Sequence, residues 1–506
     1  MVYFSTQLAR RSAVASSRPR RRAIVRKSRV ETGKAIVARV AGGWVLDGMI
    51  GVVPRDDVAP RLAALVRRCS RRVRGAVLAQ HEHGWVFSPL GMWLLLCVAL
   101  AGAVGDDRRR LEDAVGCASD EAGRLLSSFL SSVPPPVAAA IAVWSRDTAG
   151  TEVFEQWMRR LPDAIEIGPI PSQSDADAWT RRSTLDLIPQ FPGQVADLQA
   201  CLVSAVATRV SWRDPFDVID AREILPTHSP WHGAVDQLLH SSNPYGASIV
   251  ATTQAGRVAV YRADAKEGLT VVCVSAAPDV LSDRVLDAAQ EIAANMVNAS
   301  EPQKCSLFDL AVGAGHSWTV TERERPTWQP GQRFERITDA YLPAWTHRST
   351  TDLLASETFA ADAVIGTLQN ATAMSGPAAA RQSAVATFDR YGFEAAAVTM
   401  MAFATAGRSE PTENGLERIA QLRFDHPFAA IAVNGPSSSH PAARWDGLPL
   451  FEAWITTPKA PEPPHVTGRP THGRARRTKS SRSDRAPSPS GERKAGAGVA
   501  AARSGP

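Results

Sequence analysis

The chain has 506 residues, 44% of them hydrophobic, with a formal net charge of +6. That length holds two or three ordinary domains or one large one, with apolar residues enough for a large core. The charge sits at the ends: residues 1–30 hold nine Lys or Arg and no acid, residues 459–506 hold eleven against three, and 31–458 stands at −11. The body is therefore acidic, and any weak contact with nucleic acid is expected from the two basic tails.

Residues 1–50 form an Arg-rich arm, and residues 459–506 a tail of Arg, Pro, Ser, Gly and Ala. Neither carries an apolar period that would offset chain entropy, so both are expected to be disordered, outside a single domain over 51–458. The start MVYFSTQLARRSAVASSRPRRR lacks the apolar stretch of a secretory signal and matches a transit peptide in composition only. Localisation stays open, between the cytoplasm and, for a different start, the extracellular space.

Residues 56–80 keep a helical period with Arg on one face. Residues 84–105, GWVFSPLGMWLLLCVALAGAVG, run 22 positions without a charge, enough to cross a bilayer. Ser88 as N-cap, Pro89 as first helical residue and the glycines at the far end shorten the continuous helix to about 12 to 15 residues, the length of a core helix. A short helix follows from Asp106, then a buried strand, VAAAIAVW, and a surface helix, TEVFEQWMRR. SDADAWTRRSTLDLIPQF predicts one helix from its Ser/Asp cap to the residue before Pro189. LVSAVATRVSW reads as a strand, and so do ASIVATT, RVAVYRA and LTVVCVSA; FAAIAV and LFEAWITT close the chain as a strand pair. Helices early and strands late make an α+β protein, without internal repeats.

The chemistry of the chain is sparse in motifs. Cys69, Cys97, Cys117, Cys201, Cys273 and Cys305 are scattered, with no C-x-x-C pair. That predicts reduced, mostly buried thiols, and neither a disulfide framework nor a zinc site. GAGHSWT sets Gly315-His316-Ser317 in line but has Thr319 where a nucleophile elbow needs glycine. HEH at 81–83 reads as a solvated turn. With no Walker A loop, H-E-x-x-H or strand-borne G-x-G-x-x-G, neither an enzyme nor a metal or other cofactor is expected. One segment stands out: in YGFEAAAVTMMAFATAGRS, residues 391–409, no charge occurs from Ala395 to Gly407. By propensity alone it suits a core helix.

Six stretches, in order between about 56 and 458, resemble the serpin family. FSPLGMW, followed by GAVGDDRRRLEDAVG, is similar to the family's buried helix with its Ser-Pro start. AWTRRSTLDLI puts Trp179, Thr184 and Ile188 at the W-x4-T-x3-I spacing, and VSAVATRVSWRDPFD puts Trp212, Pro215 and Phe216 at W-x-x-P-F. DAYLPAW resembles a strand entered by Leu-Pro. FDHPFAAIAV, with Pro427 and Phe428 in F-x-x-P-F, and PLFEAWITTP resemble the last two strands.

The resemblance, to a divergent bacterial-type member, implies a serpin-like α+β fold: about eight or nine helices, one large central mixed sheet, smaller sheets and an exposed reactive-centre loop at about 390–423. It implies a monomer that inhibits a serine-type protease as a suicide substrate, with no membrane span and no specific nucleic-acid partner. The alternative is a non-inhibitory relative, a binding or structural protein cleaved as a simple substrate. In the inhibitory scheme the cleaved loop enters the large sheet as an extra strand. The hinge would be Arg390, Gly392, Phe393, Glu394, Ala395, Ala396 and Ala397, with Gly392 as pivot because it tolerates dihedrals that other residues resist. Alternation would set Phe393, Ala395, Ala397, Thr399, Met401 and Phe403 on one face, and burying the three large ones contributes about 5–9 kcal/mol.

Four positions depart from the family pattern. Arg390 stands where it has Glu, and Phe393 where it has Ser or Thr; an aromatic there is expected to slow insertion, since overpacking costs about 1–3 kcal/mol. Where the sheet opens, Ser204 and Gln382 replace Asn and His, while Ser88 is retained. The loop is longer than the family's usual one, and counting the usual distance from the pivot puts the cleaved bond at Ala406-Gly407. Arg408-Ser409 offers a basic alternative.

Overall fold

The computed structural model describes residues 1–7, 58–146, 151–196, 198–243, 245–252, 254–297, 304–327, 334–373, 378–393, 413–435 and 445–460. All belong to one unit, which ends at Pro461. In chain order the elements begin β1 (Val2–Gln7), α1 (Val58–Gln80), β2 (Trp85–Phe87), α2 (Pro89–Gly102), α3 (Gly105–Val115) and α4 (Ser119–Leu130). Next come β3 (Val137–Ser145), α5 (Glu152–Met158), β4 (Glu166–Pro169), α6 (Gln173–Ser183), β5 (Leu198–Thr208) and β6 (Val210–Ser211). Strands then dominate: β7 (Asp217–Asp220), β8 (Gln237–Ser241), β9 (Ala247–Thr252), β10 (Gly256–Asp264) and β11 (Leu269–Ser275), before α7 (Ser282–Val297). The chain continues with β12 (Lys304–Cys305), β13 (Gly313–Ala314), β14 (Trp318–Thr327), β15 (Phe334–Pro343), β16 (Trp345–Asp352) and α8 (Ala361–Thr372). It closes with β17 (Ala378–Phe388), β18 (Gly392–Phe393), β19 (Glu413–Arg423), β20 (Phe428–Asn434) and β21 (Pro449–Ile455).

Local chemistry explains where the helices start and stop. Ser88 Oγ accepts the Gly91 N–H (3.1 Å), Pro89 opens α2, and the helix ends at Gly102. Nearly every residue of α2 is buried, so its lack of polarity is that of a core helix, and no described helix is long and apolar enough to cross a membrane. α6 is shorter than its pattern predicts. Thr184 Oγ1 donates to Thr180 O (2.7 Å), and Leu185 and Asp186 follow with φ of 53° and 63°, a left-handed backbone no helix can continue through.

Among the described residues there are three sheets. The largest runs β4-β3-β5-β1-β17-β18-β6, with β16 on the other edge of β17. The second runs β12-β9-β10-β11-β20-β21-β2 and the third β13-β14-β19-β15-β8-β7. One core cluster extends from α1 and α2 to β20 and β21. A smaller one, with Trp144, Trp179, Phe191 and Val203, lies at α6. All six cysteines are free, and five are buried. Burial pushes the Cys69 thiol up to about 12.

Two expectations change. The arm that composition puts outside the fold contributes β1 to the middle of the largest sheet, because its first residues, VYFSTQ, are uncharged and strand-prone. The segment expected as loop over 390–423 begins and ends in strands: β18 lies in the largest sheet and β19 in the third, pairing with β14 and β15.

Candidate functional site

The site is built around the end of β17. After Phe388 the chain turns through Asp389, Arg390 and Tyr391 into β18. Asp389 Oδ1 accepts the N–H groups of Tyr391 (2.7 Å) and Gly392 (2.9 Å), a side-chain-supported turn. The W-x-x-P-F stretch clamps it. Trp212 N–H donates to Tyr391 O and its indole Nε1 to Asp389 O, both at 2.8 Å, while Phe216 N–H donates to Arg390 O (2.9 Å). Pro215 lies exposed between them. The rings of Trp212 and Phe216 also pack on Phe388, with centroids 4.9 and 5.6 Å away.

The hinge residues within the described chain are Arg390, Gly392 and Phe393. Arg390 is exposed, its guanidinium 4.8 Å over the Tyr391 ring. Gly392 has the extended backbone of a strand, not the unusual dihedrals expected of a pivot. Phe393 is 3% exposed and packs 6.4 Å from both Trp345 and Phe451. Its bulk is already housed in the sheet, between Phe388 of β17 and Val210 of β6. Glu394, Ala395, Ala396 and Ala397, and the bond candidates Ala406, Gly407, Arg408 and Ser409, lie outside the described residues.

The strand registers then line up. β18 pairs Phe393 with Phe388 of β17 on one side and with Val210 of β6 on the other. Carried along the same two strands, this register would bring position 398 opposite Ser383 and position 399 between Gln382 and Ser204. Those places are taken by β1: Met1 exchanges backbone bonds with Ser383 (2.5 and 2.8 Å), and Val2 pairs with both Gln382 and Ser204. β1 runs in the direction of β18, since both are antiparallel to β17. Between Phe393 and Met1 a cavity remains, lined by Val206, Thr208, Ala384 and Phe451 among others. Met1 is anchored beside it, 3% exposed, with Thr180 Oγ1 3.6 Å from its sulfur.

The three residues expected where the sheet opens meet at this point, all buried. Gln382 accepts the Ser88 N–H at its Oε1 (2.9 Å) and donates Nε2 to Ser88 O (3.0 Å). Ser88 Oγ donates to Leu450 O (2.9 Å), and Ser204 Oγ donates to Gly91 O (2.7 Å). The network ties α2, β5, β17 and β21 at the position of Val2. Trp179 and Thr184 lie apart, in α6 and at its end, where Trp179 Nε1 donates to Glu166 Oε2 (3.1 Å) and its ring meets Trp144. Phe428 opens β20 against Phe424, its ring 5.2 Å away, with Pro427 just before it.

One cluster has the polar layout of a hydrolytic triad. His426 Nε2 is 2.9 Å from Ser275 Oγ and its Nδ1 2.7 Å from Asp425 Oδ1. Burial lowers the affinity of His426 for a proton, but Asp425 and the Ala276 carbonyl outweigh it, and the net shift is upward. Ser275 is fully buried in β11, so no substrate carbonyl reaches its oxygen. His316-Ser317 lies in the turn between β13 and β14 rather than between a strand and a helix, as an elbow would. HEH at 81–83 is a turn held by His81 to Thr351 (3.0 Å) and His83 O to His347 (3.1 Å). Among the described residues no three His, Cys, Asp or Glu are grouped to hold a metal.

Sequence reasoning missed β1, the Asp389 turn and the Trp345 and Phe451 partners of Phe393. Only β1 left a signal, in the uncharged MVYFSTQ ahead of Arg10.

No family model matches the chain. A curated protein of Oryza sativa subsp. japonica named "Putative serpin-Z5" is 28% identical over 183 residues, 32% of this chain, so the match spans about two fifths (40%) of that relative. Solved structures superpose far more widely. Thyroxine-binding globulin in complex with thyroxine has a TM-score of 0.52 at 12% identity, covering 79% of this chain and 99% of that one. The thermophilic serpin tengpin in its native state gives 0.51 at 13%, covering 78% and 94%. Cleaved Serpin 42Da gives 0.50 at 14%, covering 80% and 98%.

Proposed function

We propose that this chain, which has the serpin fold, inhibits a serine-type protease as a suicide substrate. The protease's serine would attack a bond in the segment 394–412, forming an ester with the new C-terminal residue and releasing the amine. The segment behind Phe393 would then run into the largest sheet and carry the acylated protease with it before water cleaves the ester. What supports this reading is the two-sided register of β18, which, carried on past Glu394, would lead the uncharged stretch from Ala395 between β5 and β17. Small side chains at Ala395, Ala396 and Ala397 suit the passage.

A second reading has its own observation: β1 already fills part of that gap. A chain whose β1 never leaves would be a non-inhibitory relative, nicked as an ordinary substrate. Incubation with trypsin, subtilisin and elastase, followed by denaturing electrophoresis, separates the two. A band at the summed mass of chain and protease is expected; clean nicking within 394–412 by every protease, with no such band, overturns the inhibitory reading.

A further inference from the structure

We infer that the N-terminal segment Met1–Gln7 is a displaceable resident strand, bound in the gap between β5 and β17 in the register that residues 398–404 would take. It thereby controls whether that gap accepts a strand. The gap itself is a binding site for an extended, uncharged peptide, and its first ligand is this chain's own N-terminal segment.

Three features carry the inference. The pairing is two-sided: Val2, Tyr3, Phe4, Ser5 and Thr6 each have a partner on β5 and another on β17. The register is shared: the β18 pairs and the β1 pairs, counted from either neighbour, give one continuous line with four positions between Phe393 and Met1, the number that Glu394 to Ala397 supplies. The entry is anchored: Met1 packs in the cluster that includes Trp179 and Val203, and Gln382 and Ser204 both pair with Val2. Uncharged β-prone residues are the composition such a gap selects, and the arm turns basic only at Arg10. Displacement is feasible because β1 holds only six residues, and its pairing with β5 shifts register at Thr6/Gln7. Residues 8–57 are enough chain to span about 165 Å, so β1 can leave without disturbing α1.

The inference rests on the insertion reading for the identity of the competing strand, and its test therefore uses no protease. The probe is a fluorescent synthetic peptide of residues 393–406, FEAAAVTMMAFATA, with uptake read on a native gel. Three chains are compared: the full chain, the chain lacking residues 1–7, and the full chain with Tyr3→Cys and Arg381→Cys, a pair in direct register. The shortened chain should take up peptide at least tenfold faster than the full chain. The double-cysteine chain should form a disulfide on mild oxidation, take up no peptide, and return to the full chain's rate on reduction. This arm decides the matter even if the shortened chain does not fold. Failure of the disulfide to form, or equal uptake by oxidised and reduced protein, overturns the inference. Peptide uptake governed by β1 without any covalent protease complex would sink the inhibitor reading alone. Covalent complexes formed equally well by the oxidised tethered chain would sink the inference alone.

Discussion

At the scale of the residue, Gln382 does the most to define the site. Its amide closes a reciprocal pair with the buried backbone of Ser88, satisfying the N–H just before the first turn of α2. Gln382 supplies both a donor and an acceptor from one planar group, so the Ser88 backbone is satisfied on both sides. Gln382→Ala leaves that N–H buried without a partner, while Ser88 O keeps only the Met92 N–H (3.2 Å), and the change costs about 1–3 kcal/mol. Urea unfolding should register that loss; a midpoint unchanged from the unmodified chain would show that the pair carries no weight. Phe393 teaches a different lesson, since its size reads as an obstacle only while its aromatic neighbours Trp345 and Phe451 are unknown.

At the scale of the element, a buried cross-tie joins α1, α7 and β21. Arg74, with its side chain only 5% exposed, donates to Glu452 Oε1 (3.0 Å) and to Asp287 Oδ1 (2.5 Å), while Ser70 and Gln290 hold the other oxygen of Glu452. Removing one partner of such a pair strands a buried charge, so Arg74→Ala should lose about 3–5 kcal/mol in urea unfolding; a loss below about 1 kcal/mol would mean that water reaches Glu452. The elements legible in the sequence are those that capping and composition decide locally: Ser88-Pro89 starts α2, and the β-branched apolar runs of β10 and β11 mark buried strands, whereas α7, α8, β16 and β17 were not read. The site was legible in part. Trp212, Phe216, Ser88, Ser204 and Gln382 could be named from the resemblance; the structure sets Trp212 and Phe216 on Phe388 at the end of β17, and Ser88, Ser204 and Gln382 together at the middle of β5 and β17. β1 was missed although MVYFSTQ is uncharged, because six residues are too few to show a period and the long basic stretch beside them dominates any window. β19 was hidden for the opposite reason, its ENGLERIAQLR mixing charges along a strand whose Glu417 is buried against Arg323.

At the scale of the whole molecule, the largest sheet holds two short strands in one line beside β17: β18 from the C-terminal side and β1 from the N-terminal side, with a cavity between. On the insertion reading proposed above, the sheet would gain backbone bonds and buried surface by exchanging the two pieces for one continuous strand, and the barrier would be the departure of β1. Hydrogen exchange followed by mass spectrometry, on the intact chain and on the chain nicked within 394–412, follows that exchange amide by amide. In the intact protein the amides of residues 2–7 should be protected and those of 394–406 should exchange freely; after nicking the protection should move from the first set to the second. Residues 2–7 remaining protected after nicking, with 394–406 still exchanging freely, would contradict the account.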